Sequence, residues 1–146
     1  MQEKNNKIVI CYSETLNSFL LFSRLIKERS KDIECMIKFP QIPKNPKNNK
    51  YWTPYVSKKI NLVSIYYLFF NFITLYLYSF FSLIYGKQLS DLGKKMKIPV
   101  YSHTFFDPTF YKYISSKNVK YIFYSAPNIV NHKYVPKSVK GLICYH

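Results

Sequence analysis

Apolar and polar positions alternate in blocks along the chain, and the blocks change period. Residues 7–12 (KIVICY) form a short apolar, β-branched run that predicts a strand, and Ser13 is placed to cap a helix over 14–29. Within that helix Leu16, Phe19, Leu20, Ser23 and Ile26 recur at helical spacing, with Leu21, Phe22 and Leu25 widening the face expected to be buried. Residues 33–37 (IECMI) read as a second strand, so strand, helix and strand fit the size of a right-handed βαβ unit. Residues 38–59 carry Pro40, Pro43, Pro46 and Pro54 among Lys and Asn, and are expected to form a loop without regular structure.

Residues 60–86 then run for 27 positions without a formal charge, long enough to span a bilayer if helical. Helical phase argues against a lipid-surrounded span. At about 100° per residue Asn61, Ser64, Asn71, Ser79 and Ser82 fall within roughly 80°, with Tyr67, Tyr78 and Tyr85 beside them. A helix with such a polar stripe is expected to pack on a sheet or lie in an interface.

Beyond it, Ser90 or Asp91 can start a short helix through Lys97, and residues 98–101 (IPVY) predict a strand. Asp107 and Pro108 open another helix to about Ser115; 119–125 is a strand, 131–135 one or two turns, and 141–145 a last strand. The expected fold class is therefore α/β: a Rossmann-like, mainly parallel sheet flanked by helices, incomplete at its C-terminal end, with a long aromatic-rich helix inserted. A single domain over 1–146 is expected, its insertion comprising the 38–59 loop and the 60–86 helix.

Charge alters this picture less than its size suggests. The net charge is +15, but 20 of the 22 basic residues are Lys, and only Arg24 and Arg29 supply the planar fork favoured in base recognition. The lysines are spread along the chain, so a solvated surface is expected and a specific DNA partner is not. Tyr51, Trp52 and Tyr55 interleave with Lys50, Lys58 and Lys59, which fits a stacking platform for single-stranded nucleic acid or, equally, aromatics anchoring a long loop. Cys11, Cys35 and Cys144 make an odd number without a C-x-x-C pair, so neither a disulfide framework nor a metal site is expected. The polar start lacks a signal-peptide core, and a cytoplasmic chain with possible membrane association is expected.

No G-x-G-x-x-G follows the first strand and no G-x-x-x-x-G-K-[ST] occurs, so those nucleotide-binding loops are excluded. Ligands of a parallel sheet bind at its carboxyl ends, which directs attention to residues 12–13, 125–128 and 144–146. The segment YIFYSAPNIVNHKYVPKSVKGLICYH, with KIVICYSETLNSFLLFSRL and DLGKKMKIPVY upstream, resembles the amino-terminal domain of the 10-formyltetrahydrofolate-dependent formyltransferase family. That family includes the methionyl-tRNA, phosphoribosylglycinamide and sugar N-formyltransferases. The resemblance omits residues 38–86.

It implies formyl transfer from 10-formyltetrahydrofolate to an amine, either an amino-sugar nucleotide or an aminoacyl-tRNA. It also implies that Ser125, Ala126, Pro127, Asn128, Ile129 and Val130 line the folate pocket, and that His146 stabilises the tetrahedral oxyanion. Cys144 stands where the family carries Asn, and a thiol is the weaker donor. The family's S-L-L-P-x-Y-x-G loop and catalytic Asp follow the His, so the residues up to His146 are expected to have little or no activity by themselves. Neither Asp91 nor Asp107 can replace that Asp by position, since both precede the catalytic strand. His103 and His132 are expected on a loop and on the surface. Two other readings compete: a non-catalytic membrane-associated protein held by residues 60–86, and a basic nucleic-acid-binding module.

Overall fold

The structure is a computed structural model that describes residues 6–40, 51–54, 65–66, 69–70, 72–74, 76–78, 80, 88–126 and 128–145; for 52–54 and 128–129 the backbone alone is described. Its frame is a five-stranded, all-parallel sheet built from β1 (Lys7–Ser13), β2 (Ile33–Phe39), β4 (Val100–Ser102), β5 (Val119–Ser125) and β7 (Gly141–Cys144). The strand order is β4-β2-β1-β5-β7. Among the described residues, the helices α1 (Leu16–Arg29), α2 (Leu89–Lys95) and α3 (Pro108–Ser116) lie between these strands. The expected α/β class holds, with every strand of the main sheet parallel.

The central strand shows why the sequence takes this form. Along β1 the side chains of Val9 and Cys11 enter one core, with Phe110 and Ile114 of α3, while Ile10 and Tyr12 enter the other, with Phe22 and Ile26 of α1 and Leu89 of α2. All four are fully buried, so a strand covered on both faces reads as an unbroken apolar run. Burying each large side chain stabilises the fold by about 1.5–3 kcal/mol.

Helix α1 departs from expectation at its start and in its phase. Thr15, extended at φ −128° and ψ 157°, is the cap, its hydroxyl accepting from the Ser18 amide at 3.2 Å. Ser13 stays in β1, and Glu14 is left between strand and helix. The buried residues are Ser18, Phe22 and Ile26, whereas Leu16 and Leu20 are exposed. The stripe is turned toward Phe22 because Ser18 faces inward to hydrogen-bond the end of β5.

At α3 the expected Asp107 cap is present, its carboxylate accepting from Thr109 N at 2.7 Å and Phe110 N at 3.3 Å. Helices α2 and α3 are each followed by a left-handed residue, Lys97 at φ 59° and Asn118 at φ 54°, which turns the chain into the next strand. Residues 131–135 hold a single 3-10 turn, His132–Tyr134.

The expectation of an unstructured 38–59 segment is corrected at β3 (Trp52–Pro54), which pairs antiparallel with β6 (Asn128–Val130) in a separate two-stranded ribbon. Proline is tolerated there because each strand of a two-stranded ribbon keeps one edge free of ladder bonds. The rest of the loop, 41–50 and 55–59, lies outside the described residues. So does much of the 60–86 helix. Its described positions, 65–66, 69–70, 72–74, 76–78 and 80, are helical.

Candidate functional site

The strand order places a topological switch beside β1. From β1 the chain steps outward through β2 to β4, then crosses back to lay β5 on the other side of β1 and continues to β7. Connections diverge there, and the crevice outside the carboxyl ends of β1 and β5 is where open parallel sheets bind ligands. Three short-side-chain residues converge on it. Ser18 Oγ lies 3.1 Å from the Ser125 carbonyl oxygen, to which it donates, and 3.2 Å from Ser125 Oγ, and it is 3.1 Å from Thr15 Oγ1. Ser18 is fully buried and Ser125 half-buried, so Ser125 carries the more accessible hydroxyl. Ser13, also buried, donates to the Pro40 carbonyl at 3.3 Å.

A second polar centre adjoins the first. Glu14 is buried, and its carboxylate accepts from Leu89 N at 3.1 Å, from Ser90 N at 3.0 Å and from the Ser90 hydroxyl. Lys38 Nζ is 3.6 Å away. Gln88, the residue at the cap of α2, makes no side-chain cap bond, so a carboxylate 75 positions earlier in sequence serves the helix N-terminus, where the macrodipole favours negative charge. Tyr12 Oη sits 2.9 Å from Ser90 Oγ; burial holds its phenol above the usual range, and the Ser90 hydrogen bond acts the other way. The Tyr78 phenol is also raised, by burial first and then by the Glu14 charge. Each group around Glu14 is thus engaged, and the cluster fixes α2 against the end of β1.

The residues expected at the site are distributed as follows. Ser125 ends β5 at the crevice, and Ala126 is buried beside it. Val130 is buried in the core beneath α3. Asn128, Ile129 and Val130 form β6, so one edge of their backbone is engaged by β3 rather than open to a ligand. Cys144 closes β7 opposite Tyr124 and is exposed; partial desolvation by its neighbours raises its thiol pKa. Tyr145 continues the ladder, its amide donating to the Tyr124 carbonyl at 2.8 Å, and its ring meets Phe22 edge-on at 6.3 Å. The register therefore carries the chain after Cys144 alongside the end of β5. Pro127 and His146 lie outside the described residues.

Comparison with family models, curated proteins and solved structures finds no match.

Of the three loop aromatics, the side chain of Trp52 and the whole of Tyr55 lie outside the described residues. Tyr51 packs its ring, tilted, 5.1 Å from those of both Tyr111 and Tyr134, and so holds the start of the ribbon on the domain. His103 is partly buried in a 3-10 turn, 6.2 Å from the Phe39 ring, and His132 is exposed. Cys11 and Cys35 are buried within the sheet, and among the described residues no three His, Cys, Asp or Glu side chains group as metal ligands. Sequence reasoning missed Glu14 and Ser18, and gave Ser90 only as a helix start, whereas α2 begins one residue earlier, at Leu89. A carboxylate directly after a buried strand was the available signal for Glu14; small hydroxyl residues give none.

Proposed function

We propose that the crevice between β1 and β5 is the donor pocket of a formyl-transfer site that takes 10-formyltetrahydrofolate and passes its formyl group to an amine. The observation carrying this reading is the strand order: it brings the Ser125–Ala126 end of β5 to the switch point, with the end of β7 in register beside it. A pterin is flat, apolar on its faces and polar at its edge. Buried Ala126 and the half-buried Ser125 hydroxyl suit it in kind.

In this reading the acceptor amine attacks the formyl carbon and the carbonyl oxygen becomes an oxyanion; its collapse restores the carbonyl and breaks the old C–N bond, and the tetrahydrofolate nitrogen leaves with that electron pair and takes up the proton the amine gives up. His146 donates to the oxyanion, and the position of Cys144 is the second donor. A thiol there in place of an amide weakens the oxyanion site, a change expected to cost about 10²–10³ in rate. The acceptor is an amino-sugar nucleotide or an aminoacyl-tRNA.

The direct test is calorimetric titration of the folded chain with 5-formyltetrahydrofolate, a stable isomer of the donor. Saturable one-to-one binding is expected, with at least tenfold weakening in a Ser125→Trp variant whose circular dichroism matches the parent. A folded parent chain that takes up none of the ligand sinks the reading.

A further inference from the structure

The described part of the 60–86 segment is helical, and its exposure is the reverse of what an amphipathic surface helix presents to water. Tyr66 is 72% exposed, Phe72 69%, Tyr76 68%, and Phe69 and Phe70 65% each. Tyr78, by contrast, is 6% exposed and packs against Phe19 of α1 at 6.4 Å. At about 100° per residue the exposed positions from Ile65 to Leu77 spread over roughly 160°, centred opposite Tyr78. Among the described residues, every exposed position of this helix is thus aromatic or aliphatic, more than a water-exposed surface ordinarily carries.

Charge selects what covers that face. The net charge is +15, and the acidic groups are largely occupied within the chain. Glu14 is buried on α2, Glu28 pairs with Arg24 at 2.7 Å, Asp32 pairs with Arg29 at 2.9 Å, and Glu34 lies 3.9 Å from Lys117. Lys58, Lys59 and Lys87 bracket the uncharged segment in sequence. A second copy of this chain would bring an equal positive charge to the contact, whereas a surface of lipid phosphates would attract it. Among the described residues no helix is long and apolar enough to cross a membrane.

We propose that the exposed aromatic and aliphatic side chains described between Tyr66 and Leu77 dock the domain on an anionic lipid bilayer, their rings set into the headgroup boundary and the chain's net positive charge drawn to the lipid phosphates. This inference is independent of the formyl-transfer reading, since it involves neither the crevice nor a folate.

Vesicle flotation of the full chain tests it, using phosphatidylcholine vesicles with and without phosphatidylglycerol. The chain is expected to float with the anionic vesicles, at least about tenfold better than with the neutral ones, and to lose binding progressively as salt is raised. Phe69→Asp with Phe70→Asp alters only exposed positions and is expected to lower binding at least about tenfold at unchanged circular dichroism. Tyr76→Asp, on the same face, serves as a second variant with the same expected loss should the first fail to fold. A folded parent chain that stays with the aqueous fraction overturns the proposal. So does sedimentation of the parent as a dimer that the Asp variant dissociates, or retention of the parent in vesicles after an alkaline carbonate wash, which would mark a span.

Discussion

Single residues decide more here than their types suggest. In sequence Glu14 looks like the first residue of α1; the chain instead starts that helix one cap later, at Thr15, and frees the carboxylate to reach Leu89 and Ser90. Glu14→Ala would leave two amides and a hydroxyl at a buried helix end without their acceptor. A loss of about 1–3 kcal/mol in urea unfolding is expected, against a smaller loss for Glu14→Gln, which keeps one acceptor oxygen. Equal stability of the Ala variant and the parent would refute the capping role. Ser18 was equally hidden. A serine at a helical position predicts neither face, and only its bond to the β5 carbonyl explains why the stripe of α1 turned toward Phe22 and left Leu20 in solvent.

Elements were legible where local chemistry and burial agree. Strand β5 matches its expected span because Val119, Ile122 and Tyr124 are buried within a run bounded by turns, and α3 begins where Asp107 and Pro108 signal it. The ribbon of β3 and β6 was illegible because its two strands are three residues each and far apart in sequence, so neither carries a periodic pattern of its own. Helix α2 packs closely at Gly93, where an added Cβ would stand 2.7 Å from Met36 Sδ and 3.2 Å from Val100 Cγ2. The helix lies too close to β2 and β4 for a branched side chain. Gly93→Val is expected to destabilise the domain by about 1–3 kcal/mol in chemical denaturation, an outcome that helix propensity alone would not produce.

At the scale of the whole molecule, alternation of strands and helices announces a parallel sheet, but nothing in that alternation says on which side of β1 the fourth strand of the main sheet is added. The switch point, and with it the location of the crevice, comes from packing α3 on the face opposite α1 and α2. The two cores also give the domain an alkaline limit. Burial raises the Cys35 thiol to about 12 and holds Cys11, Tyr12 and Tyr111 above their usual ranges. The folded chain therefore retains protons that the unfolded chain releases, so this stability is complete below about pH 9 and is lost as pH rises from 9 toward 12. Thermal melting across that window should show a midpoint that falls steadily with pH; a flat midpoint to pH 11 would contradict the burial of these groups. The ribbon has one more consequence. Tyr51 and Trp52 are tied to the chain just past β5, and Leu89 and Ser90 to the residue just past β1, so the intervening stretch departs from and rejoins one rim of the sheet. Lengthening, shortening or exchanging that stretch stretches no strand and adds only slowly growing closure entropy, which makes it a cassette that evolution or an engineer can swap to re-address the domain while its scaffold stays put.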